Sequence, residues 1–413
     1  MRRSSSLLAP TIAMLCTGFL THAGESTGAG HTHATALAIK VSGNRLVDAD
    51  GRIVQLRGAN VSGLEFVAIQ NWSANDPWGN QAQMPKTLDA IKAWKLNAVR
   101  FPLNEASWLG LTTYDWPGGA SKTGKPRQAD PGGNYRKTVI ESVKAATARG
   151  LYVILDLHIN APDALVPGIP DRVPTTPTVQ NAMVDADHGT EFWSSLARTF
   201  KDYPAVIFDL FNEPHIDSFE NVHNYRDATA WAALRDGGSV TQFITGGATV
   251  KQTTRTAGMQ SLLDAVRSTG ATNVVMVGGI SWAQDMSQWV AYAPVDPLKQ
   301  LAASWHAYPK GNAGSDAAIP GYGEDNYTWA EAILAAGYPI IIGETGDQSA
   351  AGSSAPFMKE LLPWASARGV SVLGWTWNTW GGASADLIKD AAGTPTDGFG
   401  QSFRAWAVNA EAR

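Results

Sequence analysis

Cysteine is all but missing from this 413-residue chain: Cys16 is the only one. No internal disulfide can form, so stability must come from a large buried core. Charge is also sparse, at 17% of residues with a net of −5 at pH 7. Without a basic excess, nucleic-acid binding is excluded as an expectation. No HExxH and no Asp-rich cation loop occurs, and the histidines are dispersed, so no metal is expected. Where a dinucleotide fold would carry its Gly-rich phosphate loop the chain has Arg57-Gly58-Ala59-Asn60, so no cofactor is expected either. Long apolar runs are lacking too. The stretch 7–20 is broken by Pro10 and is shorter than the roughly 20 residues of a membrane helix.

That short run has another use. Arg2 and Arg3 precede it, and Thr21-His22-Ala23 follows with small residues at −3 and −1. The pattern predicts a signal peptide over 1–23, hence a secreted protein with no membrane attachment after cleavage. Residues 24–36 are small and polar and are expected to form a flexible leader. His31 and His33 within it are two ligands at most, too few for a metal site. The remainder, 37–413, is expected to be one catalytic domain and a monomer.

What is abundant is a repeated rhythm of β-rich run, polar loop and helical stretch. The runs are 55–60, 98–103, 152–158, 205–212, 273–279, 303–308, 339–344 and 370–377. Helical patterns lie between them, as at 86–94, 135–148 and 256–268. Runs such as Tyr152-Val-Ile-Leu-Asp-Leu-His158 are nearly continuous apolar sequence, as parallel strands buried on both faces require. Eight such units predict an α/β fold, a closed (β/α)₈ TIM barrel. Ahead of it, 39–56 alternates apolar and polar residues around Ser42-Gly43-Asn44 and Asp48-Ala49-Asp50-Gly51, which predicts an N-terminal β-hairpin at the barrel bottom. The Pro-rich segment 159–189 is expected to be an ordered loop over the mouth.

Chemistry in such barrels sits at the C-terminal ends of the strands. Those ends carry Arg100, His158, Asn212 with Glu213, His306 with Tyr308, Glu344 and Trp375. Glu213 closes the fourth run and Glu344 the seventh, so they face each other across the mouth. An acetal needs an acid at the leaving oxygen and a carboxylate at the anomeric carbon, which a facing pair supplies. Tryptophan is plentiful, with 16 residues, and its broad ring suits the C–H face of a sugar. Trp282 after the fifth run and Trp375 at the eighth are expected at the mouth, with Trp377 as the alternative to Trp375. Trp72, Trp78, Trp108 and Trp380 are candidate outer platforms or core residues. Glu65 and Glu105 are expected to serve loop hydrogen bonding first and outer sugar contacts second. Asp185-Ala186-Asp187-His188 looks metal-like, but a loop hydrogen-bond cluster is the better reading.

Asn212-Glu213-Pro214 and Gly343-Glu344 resemble glycoside hydrolase family 5, the cellulase family. Arg100-Phe101-Pro102, Asp156-Leu157-His158 and His306-Ala307-Tyr308 strengthen the match, which spans about 40–400. The resemblance implies Glu213 as acid/base and Glu344 as nucleophile of a retaining enzyme. It implies that Asn212 meets the 2-hydroxyl of the sugar and that Arg100 and Tyr308 hold the nucleophile ionised. It places His158 and His306 beside the acid/base and the sugar, and Trp375 as a stacking platform. The expected activity is endo-β-1,4-glucan hydrolysis on a polysaccharide or oligosaccharide substrate. A β-mannanase or an exo-acting enzyme of the same family is the alternative. A non-catalytic carbohydrate-binding barrel is the alternative of another class, and the presence of both glutamates argues against it.

Overall fold

The computed structural model describes residues 37–66, 84–114, 125–165, 168–175, 181–215, 227–245, 249–309, 326–348, 351–379 and 386–410. The signal-peptide and leader segments lie outside them, as do Trp72, Trp78 and Trp380.

Eight parallel strands close into a barrel. They are β1 (Arg57–Asn60), β2 (Ala98–Asn104), β3 (Tyr152–Ile159), β4 (Val206–Asp209), β5 (Val275–Gly278), β6 (Leu301–Ala307), β7 (Ile340–Thr345) and β8 (Ser371–Gly374). Each pairs with the next, and β8 closes on β1. All eight predicted runs thus become barrel strands. The fourth is shorter than its apolar run, ending at Asp209. Its backbone still bonds onward, Leu210 N–H to Met276 O at 3.1 Å and Asn212 N–H to Leu157 O at 3.0 Å. Glu213 therefore leaves the strand on a tethered path.

Side chains alternate across a strand, so two sets separate cleanly. Val99, Phe101, Val153, Leu155, Phe208, Val275 and Ile342 face outward into the main core against the helices. The lumen takes the other register. Its lower part is apolar, with Leu56, Ala98, Ile154, Ile207, Met276, Ala302, Ile341 and Leu373 in one cluster. Two residues further along β2, β3, β4 and β6 the lumen turns polar, with Arg100, Asp156, Asp209 and Ser304, and Asn60 joins them from β1, all fully buried. The same period carries β3 from Ile154 through Asp156 to His158.

The N-terminal element is a three-stranded antiparallel sheet, Lys40–Ser42, Arg45–Val47 and Ile53–Val54, with the two bends that the turn residues predict. Ile39 and Leu46 join the lower lumen cluster, and Ile39 N–H bonds to Pro204 O at 2.9 Å. The sheet closes the barrel bottom.

One helix boundary is corrected, and two open readings are filled in. The helix foreseen over 256–268 is Met259–Arg267. Ahead of it stands a hairpin that was not foreseen, Gly237–Thr245 paired with Thr249–Ala257. Its base is pinned to the segment before the helix Gly189–Phe200, Ala186 N–H to Arg255 O and Ala257 N–H to Val184 O, both at 2.9 Å. Segment 159–189 contains a small hairpin of its own, Asp163–Leu165 with Arg172–Pro174. Trp108 is no platform: it is 1% exposed, packed on Phe192 and Phe200.

Candidate active site

Arg100 organises the upper lumen. Its Nη1 donates to Glu344 Oε1 at 2.7 Å and to Asn60 Oδ1 at 3.0 Å. Its Nη2 donates to Asn212 Oδ1 at 2.9 Å and lies 3.1 Å from Asp156 Oδ2. Its Nε donates to Asp209 Oδ2 at 3.1 Å. A guanidinium presents donors in a fixed planar fork, so five acceptors from four strands are set in place together. The three carboxylates hold its proton far more tightly than usual, against the opposing effect of burial.

Glu344 is 4% exposed. Its second oxygen accepts from the Tyr308 hydroxyl at 3.1 Å. Burial, with the nearby glutamates, pushes the Tyr308 phenol well above its ordinary range, so it remains a donor. Ser304, His306 and Tyr308 occupy alternate positions from β6 onward and share one face. They reach Asp209, Glu213 and Glu344 in turn. The register of β6 on β7 shifts between Trp305 and His306. Gly343 lies at that shift, and a Cβ there would stand 3.3 Å from His306 Nε2 and 3.4 Å from Ser304 Oγ. A side chain there would press on His306 and Ser304 unless they shifted.

His306 Nδ1 is 3.0 Å from Glu213 Oε1 and 3.6 Å from Glu344 Oε2. Burial drives its imidazole down to about 3, so it is neutral across the ordinary pH range. A neutral ring serves both states of Glu213: Nδ1–H donates to the carboxylate, and bare Nδ1 accepts from the acid. His158 is neutralised in the same sense by burial. Its Nδ1 lies 2.7 Å from Asp156 Oδ2.

Oxygens of Glu213 and Glu344 and the His306 nitrogen all fall within 4.8 Å of one another. The set is compact enough for an ion, yet Arg100 at 2.7 Å already supplies the positive charge to Glu344. Asn212 is buried and its Oδ1 is taken by Arg100, which leaves its amide NH₂ as the free donor side.

Trp375 follows β8, is half-buried, and stacks on His158 with centroids 5.5 Å apart and planes at 8°. Trp377 is buried at 4% and meets Trp94 edge-on at 4.7 Å. Of the two, only Trp375 stands with the site. Trp282 lies in a turn where Ser281, Trp282 and Ala283 all have positive φ. Such a run is costly for L-residues and persists only where neighbours enforce it. Here Trp282 N–H bonds to Pro214 O at 3.0 Å and the ring stacks on His215 at 4.9 Å. His215 Nδ1 contacts Glu213 O at 3.0 Å. The turn thus buttresses the backbone that carries Glu213.

Glu65 and Glu105 are both fully buried. Glu65 bonds Ser62 Oγ and Gly63 N–H within its own loop. Glu105 accepts from Ala161 N–H at 2.7 Å and pairs with Asp185, and burial together with that neighbour raises it well above the carboxylate range. Asp185, Asp187 and His188 form a hydrogen-bond cluster: Asp185 Oδ1 caps His188 N–H at 2.7 Å, Asp187 pairs with Arg255 at 2.6 Å, and His188 meets Asp163 at 2.9 Å.

The strand-end reading missed Asn60, Asp156, Asp209 and His215. Asp156 and Asp209 lie inside their apolar runs, whereas Asn60 closes β1. An Asp inside an otherwise apolar strand was the available signal, because a buried carboxylate requires a partner.

The model of the cellulase family, glycosyl hydrolase family 5, matches residues 47–381, and the chain belongs to that family. It is therefore a glycoside hydrolase. Its curated relatives include Endoglucanase C of Evansella cellulosilytica, 24% identical over 80% of this chain and 34% of that protein. Endoglucanase 5 of Pectobacterium carotovorum subsp. carotovorum is 24% identical over 86% of this chain and 53% of its own length. The chain thus spans between a third and about half of these two relatives. Among solved structures, a β-glucanase from Saccharophagus degradans in complex with cellotetraose superposes with TM-score 0.60 at 22% identity, covering 91% of this chain and 94% of that one. A hyperthermophilic endocellulase from Pyrococcus horikoshii gives TM-score 0.63 at 19% identity, covering 90% and 99%. At these identities the structures attest the fold.

Proposed function

We propose that the chain is a secreted, retaining endo-β-1,4-glucanase, with Glu213 as acid/base and Glu344 as nucleophile. The observation that supports the mechanism is that a carboxylate oxygen of Glu213 and one of Glu344 lie within 4.8 Å of each other, a close facing pair. Retaining glycosidases hold theirs about 5–5.5 Å apart, inverting ones about 6.5–9.5 Å. The glucan substrate is supported by the endoglucanase names of the relatives, and secretion by the leader sequence.

In the first step Glu344 attacks the anomeric carbon while Glu213 gives its proton to the departing glycosidic oxygen. Arg100 and Tyr308 each bind one oxygen of Glu344, which holds the carboxylate aimed. The charge of Glu344 favours the protonated form of Glu213 beforehand. Ester formation removes that charge. Glu213, now ionised, takes a proton from water as the water oxygen bonds to the anomeric carbon and the ester breaks. The free amide of Asn212 is placed for the 2-hydroxyl, where a hydrogen bond that strengthens in the transition state contributes most. Trp375 and Trp282 offer ring faces to flanking sugars.

Products released from carboxymethylcellulose, mannan, xyloglucan and laminarin, measured side by side, test the substrate. Faster release from mannan than from carboxymethylcellulose would overturn the glucanase reading. Early proton NMR tests the mechanism: the β-anomer is expected first, and an α-anomer first would exclude double displacement.

A further inference from the structure

Asp156 and Asp209 are direct register partners on the adjacent parallel strands β3 and β4. Both point into the upper lumen and both are fully buried. Like charges side by side on a sheet are destabilising even at a surface. Here they share one cation, Arg100, with a third carboxylate, Glu344. The two histidines nearby are neutral, so full ionisation would leave two uncompensated negative charges in the barrel interior, which is costly. Each aspartate uses a single oxygen. Asp156 Oδ2 meets Arg100 and His158, and Asp209 Oδ2 meets Arg100 and Ser304 at 3.4 Å. The Oδ1 atoms of both are buried and have no hydrogen-bond partner among the described residues.

We propose that Asp156 and Asp209 are positioning residues that share one proton beneath Glu344, brace Arg100, and by releasing that proton extend the alkaline limb of the enzyme's pH profile. This rests on the acid/base reading of Glu213. Burial pushes both aspartates up to about 7, against the opposing pull of Arg100. The groups that face the pair are Arg100 from β2, His158 from β3, Glu213 beyond β4, His306 and Tyr308 from β6 and the residue after it, and Glu344 from β7. Outside the barrel, Tyr135 interacts with Asp156, and Glu65 acts through His158. Of these, Glu213 is the one whose proton the reaction uses, and it interacts electrostatically with Asp156.

The sign follows from charge. When the shared proton leaves, the floor becomes more negative, and a negative neighbour makes Glu213 hold its own proton to higher pH. Asp156→Asn or Asp209→Asn locks the floor in its one-proton charge state. The acid then loses its proton earlier, and the alkaline limb of kcat/KM is expected to move down by about one pH unit. Asp209→Ala removes the brace as well as the charge, and kcat is expected to fall ~10–100-fold further than in Asp209→Asn, the range typical of supporting groups behind a reactive centre.

Infrared difference spectroscopy tests the proton independently of turnover. Glu213 and the raised Glu105 also carry protons, so the signal is a difference between proteins: at about pH 6 the wild type is expected to show protonated-carboxyl C=O intensity beyond that of either Asn variant, and this excess disappears by about pH 9. Either Asn variant that folds suffices for the comparison. Alkaline limbs of the Asn variants that superimpose on wild type, or spectra without that excess, would overturn the proposal. A wild-type protein that shows the excess but hydrolyses no β-glycoside would instead overturn the glycosidase reading alone.

Discussion

Arg100→Met is the perturbation that asks most of the site. Methionine fills much of the same volume without charge or donors. Arg100 is fully buried and is the only cation within 4 Å of Asp156, Asp209 and Glu344 among the described ion pairs, the histidines apart. Removing one partner of a buried pair typically costs about 3–5 kcal/mol, because the other charge is left uncompensated. Three such charges remain here, so at least that loss is expected above neutral pH. The carboxylates escape it by taking up protons, so the loss should shrink as the pH falls toward about 4. Arg100→Lys restores charge but offers its donors from one point, where the guanidinium reaches five acceptors. Losing at least one charge-assisted bond should cost roughly 1.5–3 kcal/mol. Denaturant unfolding of the three proteins at about pH 5 and pH 8 gives the comparison. An Arg100→Met protein within about 1 kcal/mol of wild type at pH 8, or one with the same deficit at both pH values, would refute the reasoning.

Other expectations follow from the same geometry. Glu344→Gln and Glu213→Gln should each lower kcat/KM on an aryl β-glycoside by more than about tenfold, or about 1.4 kcal/mol. Azide should rescue Glu344→Gly with inverted product and Glu213→Ala with retained product, as read by NMR. Tyr308→Phe leaves one oxygen of Glu344 without its donor and should cost about 1–3 kcal/mol in transition-state stabilisation, seen in kcat/KM. Trp375→Ala should raise KM on oligosaccharides, while Trp377→Ala, a core deletion against Trp94, should lower stability by about 3–5 kcal/mol. Stability should also depend on pH from both sides. Asp156 and Asp209 are raised to about 7, so their contribution is full below about 4 and is lost as the pH rises through 7. His306 is lowered to about 3, so its contribution is full above about 6.5 and is lost as the pH falls toward 3. Asp209→Asn should flatten the first slope in thermal melts, and an unchanged slope would count against a raised Asp209.

The barrel was legible because parallel strands buried on both faces leave continuous apolar runs that loops and helices do not imitate. Its reactive rim was legible because polar residues stood where those runs ended. What lay one step below was not. Asp156 and Asp209 sit inside their apolar runs, and the run boundaries drew attention to the tips instead. The hairpin Gly237–Thr245 with Thr249–Ala257 carries Gly246-Gly247 between alternating residues, a turn signal of the ordinary kind. Its many threonines and glutamines alternate with few large apolar residues, so the period-two contrast was faint and the helix after it absorbed Thr256. Trp108 shows the limit in another way. Its neighbours in sequence read as loop, while its partners Phe192 and Phe200 lie far along the chain.

That hairpin also makes the molecule modular. Its root is clamped by backbone bonds to Val184 and Ala186, and its far end brings Thr245 opposite Thr249. Two chain ends held side by side, at the tip of a ladder that leaves every barrel strand untouched, form a natural docking point for a foreign domain whose own termini are close together. A sugar-binding domain inserted between Gly246 and Gly247 would ride on the enzyme at a fixed root. The catalytic barrel would need no redesign to carry it.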